Sequence, residues 1–454
     1  MSWLRRAVTG ALAGALAVLF IHPDVRPMML HGLLRYQPST VVADLVDEQT
    51  GSHPLANPKA GLVDADLIEA GATKTPLTQD QALLMAEIAI AESQGEPKNA
   101  FWPQMEAVFQ EALGHHEASE KAWNDAANRS LWNDYDPARA ARRISRLEGE
   151  TGESLAWHRA VAWEIQPASS LLAIEALTRT LKTKAPEATA KNSALILRNV
   201  APGRRRALYV FGILGGAETR KLIENEPEGM PPLIASFASI LSASIPGAFL
   251  LTALIGFAIW LLARLGGETQ ALRWLFSPVY SAPIGTVLGF LLFLATRQPL
   301  AAFAVALAFA GFALVQPNKE MPKGVRPNVS GLVVAARSAG VAGALSLTLL
   351  LVGLTQSGQA ILQLRPDAAF APIGSPLLAA ATLFSLAIAI AAAPAWAHFR
   401  RWPAWEAGAL ALRQFGFAMA VIGAVGAVAA APICLALDRA STAALESHLF
   451  KASN

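Results

Sequence analysis

The spacing of apolar positions changes twice along the chain. Near the start, Ala7 to Ile21 (AVTGALAGALAVLFI) is apolar without a break and follows Arg5 and Arg6. A helix needs about 20 apolar residues to cross a bilayer, so this run reads as a signal-peptide core or a tilted signal anchor. Cutting at the small residues Ala15 and Ala17 would leave a very short core, which makes the uncleaved anchor the expectation. After Pro231 and Pro232 the chain returns to continuous apolar runs: one to Arg264, then Val279 to Thr296, Leu300 to Val315, Leu332 to Leu354, Leu377 to Ala397 and Phe415 to Leu437. With the anchor, these predict seven spans.

Between the anchor and Pro232 the pattern is different. His22 to Thr75 carries scattered Pro and Gly with no sustained period, and reads as an irregular lead. At Thr78 a helical period begins: Thr78 and Gln81 stand in capping-box spacing, Leu84, Ile88 and Ala91 share a face, and Gly95 stops the run. A second helix starts between Asn99 and Trp102, since Pro103 fits only a first turn, and aligns Met105, Phe109, Ala112 and Leu113 before Gly114. A third runs from Glu117 to Asn128 with Ala118, Ala122 and Ala126 inward. Asp136-Pro137 opens a fourth, with Ala140, Ile144 and Leu147 on its face and a stop at Gly149. The segment GHHEASEKAW at Gly114 is echoed by GETGESLAW at Gly149, and a third hairpin is predicted over Leu171 to Leu181 and Ala188 to Val200.

The helix, Gly turn, helix order, its period and the small Ala118 and Ala126 resemble a tetratricopeptide repeat over Gln79 to Val200. The characteristic first-helix Trp, Leu, Gly and Tyr are not in their places, and Pro103 intrudes. The resemblance implies stacked hairpins with a concave face for a peptide or partner protein. The predicted fold is therefore all-α: an N-terminal anchor helix (1–21), an irregular lead (22–76), extracytoplasmic helical hairpin repeats (77–202), an amphipathic connector (203–232), a six-helix transmembrane bundle (233–437) and an extracytoplasmic tail (438–454). In the connector, Arg204, Arg205 and Arg206 precede eleven apolar residues, too few to span a bilayer as a helix.

Composition agrees with a membrane protein: 53% hydrophobic residues, 16% charged, mean hydropathy +0.37. About 28 of the 34 acidic residues fall between His22 and Pro232, so the basic excess belongs to loops beside a bilayer and argues against nucleic-acid binding. Arg5, Arg6, Arg264, Arg273, Lys319, Lys323, Arg326, Arg400, Arg401 and Arg413 fall on one predicted side; Arg297, Arg365, Arg439 and Lys451 fall on the other. This bias predicts a cytoplasmic N-terminus in an inner (cytoplasmic) membrane, with residues 22–232 and the C-terminus outside the cytoplasm.

Little of the chain looks like chemistry. His115 and His116 read as a turn, with Glu117 and Glu120 suited to the next helix N-terminus; adjacent histidines lack metal-ligand spacing, and no metal or cofactor is expected. Cys434 stands alone. No phosphate loop, nucleophile elbow or His-Glu-x-x-His occurs. Arg139, Arg142, Arg143 and Arg146 form a basic helical stripe able to meet an acidic partner, and Trp102 and Trp132 are candidates for a partner groove or for hairpin cores. The predicted C-terminal spans hold no Asp or Glu, which disfavours ion-coupled pumping, and Arg337 is their one deep charge. Gly10 with Gly14, and Gly285 with Gly289, have spacing that permits close helix packing or a homo-oligomer. The expected function is a membrane-anchored scaffold or assembly factor that binds a partner protein. A permease or export component is the alternative, and a membrane-bound enzyme the second.

Overall fold

The computed structural model describes residues 2–36, 40–49, 78–165, 169–205, 230–266, 275–277, 279–315, 328–364, 375–400 and 402–450. Their regular structure is helical, the one extended pairing among them being the isolated parallel bridge of Asn99 and Leu131. In chain order the helices are α1 (Ser2–Ile21), α2 (Arg26–Leu34), α3 (Thr40–Gln49), α4 (Gln79–Gly95), α5 (Phe101–Ala112), α6 (His116–Ala127), α7 (Asp136–Thr151), α8 (Ala156–Glu164), α9 (Ser169–Leu181) and α10 (Pro186–Asn199). They continue with α11 (Pro232–Gly266), α12 (Ser281–Thr296), α13 (Pro299–Ala310), α14 (Ser330–Leu354), α15 (Gln356–Leu364), α16 (Pro376–Arg400) and α17 (Ala404–Leu449). The chain divides into two units, one of Met1–Pro38 with Phe237–Asp438, the other of Ser39–Ser236 with Arg439–Asn454.

Four helical stretches, wholly or mostly in the first unit, are long and apolar enough to cross a membrane: Pro232–Leu265, Ser330–Leu354, Pro376–Phe399 and Ala404–Leu449. Gly10–Ile21, Ser281–Leu294 and Pro299–Leu314 are apolar but shorter, the last ending in a 3₁₀ turn, Gly311–Leu314. Small residues set the packing, as expected where lipid removes the hydrophobic drive between helices. A Cβ on Gly256 of α11 would sit 2.5 Å from Ala420 N of α17, and one on Gly416 would sit 2.6 Å from Trp260 N. Gly285 and Gly289 spend their smallness inside the chain, where α12 lies against Ala302, Ala306 and Phe309 of α13; a Cβ on Gly10 or Gly14 would meet nothing within 4 Å.

The lead segment differs from expectation. It holds α2 and α3, and α2 belongs to the first unit. Pro27 fits the first turn of α2, and Met28, Met29, His31 and Gly32 are buried. Gly32 touches the backbone of Ser244, Gly247 and Ala248 on α11, an approach that any side chain would block. A nine-residue helix carries too few turns to display a period, which is why the sequence hid it. Residues 50–77 of the lead and 206–229 of the connector lie outside the described residues.

In the second unit the Thr78 capping box is present: Thr78 Oγ1 accepts from Gln81 N at 3.3 Å and Gln81 Oε1 accepts from Thr78 N at 3.1 Å. The buried face of α4 is Ala82, Met85, Ala86, Ala89 and Ser93; of the expected Leu84, Ile88 and Ala91, Ile88 packs half-buried against this core, whereas Leu84 and Ala91 are exposed. Small residues let α4 lie close on α5, whose Phe101, Trp102, Met105 and Phe109 form the core with Trp123, Trp132, Ile174, Leu181 and Ile196. Buried amides tie this core together. Gln104 Nε2 donates to Asn192 Oδ1 at 2.9 Å, Trp132 Nε1 donates to Gln104 Oε1 at 2.7 Å, and Asn192 Nδ2 donates to Trp123 O at 2.9 Å.

The hairpin α5–α6 thus shares its core with α9 and α10. Helices α7 and α8 pack on each other around Ala140, Ile144 and Ala162, together with Leu449 and Phe450. Helix α7 runs past Gly149 to Thr151, because Gly152, at φ +67°, supplies the left-handed C-cap that Gly149 was expected to supply. The expected tail is likewise helical: α17 continues to Leu449, and Arg439 to Leu449 belong to the second unit.

Candidate functional site

Of the predicted arginine stripe on α7, Arg139 turns inward. It donates to Asp136 Oδ1 and, at 3.1 Å, to the Asp134 carbonyl. Arg204 Nη1 lies 3.0 Å from Asp134 Oδ2 and Nη2 2.9 Å from Asp136 Oδ2, which closes a buried set of two carboxylates and two guanidiniums. The intervening Tyr135 adopts φ +60°, costly for an aromatic residue, and is held there by its neighbours. Its hydroxyl donates to Glu96 and accepts from Trp102 Nε1 at 3.1 Å. Burial pushes the Tyr135 hydroxyl up to about 12. Burial, reinforced by the charge of Asp136, also pushes the Asp134 carboxyl up to about 6 against the pull of Arg204 and Arg139. Burial opposes charge on Asp136 too, but Arg139 and Arg204 together outweigh it and hold that carboxyl below its ordinary range.

The rest of the stripe is divided. Arg142 is exposed, Arg143 is half-buried, and Arg146 lies 3.3 Å from Asp44 of α3. Trp102 and Trp132 lie in the core at 2% and 4% exposure, so neither offers a surface to a partner. The turn lies at Gly114, whose φ is +79°; His115 is the N-cap of α6 and His116, expected in the turn, is its first helical residue. His115 Nδ1 bonds Gln110 Oε1 at 2.9 Å and His116 Nδ1 bonds Glu111 Oε1 at 3.0 Å. Among the described residues no group of three or more His, Cys, Asp or Glu is placed to hold a metal. Arg337, exposed on α14, donates from Nε to Gln414 Oε1 at 2.8 Å and stands 5.6 Å from the Phe417 ring centre.

Two buried polar sets in the first unit were not anticipated. His31 Nε2 lies 3.0 Å from Ser357 Oγ, and Ser244, Thr355 and Ser357 form a triangle of hydroxyls 2.8–3.1 Å apart. All four residues are fully buried, and the set pins α2 to α11 and α15. On α17, Asp438, 8% exposed, accepts from Ser242 Oγ at 3.4 Å. The helical period extends past Leu437 through the buried positions Cys434, Asp438, Ser441 and Leu445, a signal that hydropathy alone masks.

Helix α4 presents a second, outward face. Leu83, Leu84 and Ile90 are 45%, 55% and 37% exposed, and Asp80, Glu87, Ala91 and Gln94 share their side of the helix. This face lies opposite the buried Met85, Ala86 and Ala89, so α4 is apolar on both sides. An outer helix ordinarily turns its polar side to water, and apolar residues on the outer side mark a contact surface. No known protein family, no curated protein and no solved structure matches this chain.

Proposed function

We propose that the chain is a membrane-anchored scaffold or assembly factor whose second, helical unit binds a partner protein. The observation that carries this reading is the outward apolar face of α4, Leu83, Leu84 and Ile90, in a unit whose aromatic side chains are otherwise gathered into its core. Rigidity supports it: the buried Asp134, Asp136, Arg139 and Arg204 set ties the start of α7 to Arg204, and the hydrogen bond from Gln104 to Asn192 ties α5, against which α4 packs, to α10. The membrane part comprises seven spans, with the shorter α1, α12 and α13 crossing alongside the four long helices, and the Lys and Arg bias puts the helical unit outside the cytoplasm. The buried hydroxyls around His31 bond to one another, as befits a pin between helices, and do not favour a transport path.

Photo-crosslinking in intact cells tests the reading. With a benzophenone amino acid at Leu84, a discrete adduct with another protein is expected, and none with the same group at exposed Lys121. Adducts only to lipid, only within the chain, or equally from both positions would overturn it.

A further inference from the structure

The outward face of α4 repeats every seven residues. Asp80 and Glu87 occupy one position, Leu83 and Ile90 a second, and Leu84 and Ala91 a third. A seven-residue repeat of this kind is what a helix shows when another helix lies along it, because knobs from the partner return to the same side every two turns. Two turns rise about 10.5 Å. We propose that α4 is the receiving helix for a cationic amphipathic helix of the partner protein, with apolar residues on the Leu83, Leu84 and Ile90 ridge and Lys or Arg opposite Asp80 and Glu87. This rests on the scaffold reading and specifies its partner.

The charges choose among the occupants. Helix α4 carries Asp80, Glu87 and Glu92 and has neither Lys nor Arg. Helices that lie on lipid have the reverse pattern, with Lys and Arg flanking the apolar side, and an anionic leaflet repels exposed carboxylates. A second copy is disfavoured too. Self-pairing of α4 about a two-fold axis centred on this stripe sets Glu87 against Glu87 of the other copy, and like charges in apposition oppose association. A cationic helix meets both features, burying the leucines and pairing the carboxylates.

The test uses the full chain in nanodiscs of neutral phosphatidylcholine and two synthetic three-heptad peptides. Both have Leu on one side; one flanks it with Lys, the other with Glu. Fluorescence anisotropy is expected to show the Lys peptide binding at least about tenfold more tightly, since one well-placed charge pair contributes on the order of that factor. Added salt should weaken it. In the Asp80→Lys, Glu87→Lys double variant the preference should reverse, and both changed positions are exposed, so folding is preserved. The milder Glu87→Gln should lose part of the preference, and Leu84→Asp should weaken both peptides. Equal binding of the two peptides, failure of both, or an unchanged order in the double variant would overturn the proposal. If Leu84 crosslinks to a foreign protein while neither peptide binds, the scaffold reading stands and this inference falls. If the Lys peptide binds but Leu84 gives no foreign adduct in cells, the scaffold reading falls instead.

Discussion

Asp134 and Asp136 are two residues apart, equally buried and served by the same two arginines, yet their carboxyls move in opposite directions. The difference lies in geometry: the Asp136 carboxylate meets both Arg139 and Arg204, whereas the Asp134 carboxylate meets Arg204 and the Asp136 N–H, with Arg139 donating to the Asp134 carbonyl. Asp136→Asn leaves two buried guanidiniums with one carboxylate, and is expected to cost about 3–5 kcal/mol, the range for breaking a buried pair. Asp134→Asn should cost less, because burial already disfavours the charge on that carboxyl whereas the two arginines favour it on Asp136; thermal melts of the two variants check the order. The pH dependence follows from the raised Asp134. An unfolded aspartate titrates near about 3.9. The stabilisation from protonating Asp134 in the folded state is therefore complete below that value and lost as pH rises through about 6. Lowering pH from 7 to 5 should stabilise the wild-type chain relative to Asp134→Asn, and equal pH responses would contradict this assignment. None of it was legible in the sequence, which showed Arg139 as one member of a solvent-facing stripe.

At the scale of elements, sequence and structure agree where the signal is local. The capping box at Thr78, the start of α5 before Pro103, and the turn at Gly114 each depend on residues within one or two turns of each other. They disagree where packing decides. Either face of α4 could have been the inner one by apolarity; the Ala82, Ala86 and Ala89 side won because it allows α5 to approach. The glycine pairs separate in the same way. Gly289→Leu would drive a side chain into Ala306 Cβ, 2.9 Å from the ideal Cβ, and should destabilise the α12–α13 hairpin by about 1–3 kcal/mol, the usual overpacking cost. Gly10→Leu meets nothing and should leave the melting temperature in detergent unchanged. A fall in stability for Gly10→Leu would reveal a contact with a neighbouring molecule.

For the whole molecule, four helices are long and apolar enough to cross a membrane, and the proposed seven-span topology can be tested by thiol labelling in a Cys434→Ala background. A membrane-impermeant maleimide is expected to reach Lys121→Cys and Gln298→Cys from outside intact cells, and Arg413→Cys only after permeabilisation. If Gln298→Cys is reached from neither side, α12 and α13 do not cross, and the seven-span topology fails. The sequence by itself determined the helical class, the apolar helices and the capping box at Thr78, because hydropathy and capping act over a few turns of one chain. Only the tertiary structure decided that α5–α6 shares a core with α9–α10 rather than with α7–α8, that α2 joins the first unit, and that α17 continues past Leu437 with Asp438 buried. Each of these depends on complementary surfaces far apart in the chain: Gly32 against Gly247, Gln104 against Asn192, Ser242 against Asp438. A linear pattern records which residues prefer burial, but which partner they are buried against is settled only by shape and hydrogen bonding in the folded chain.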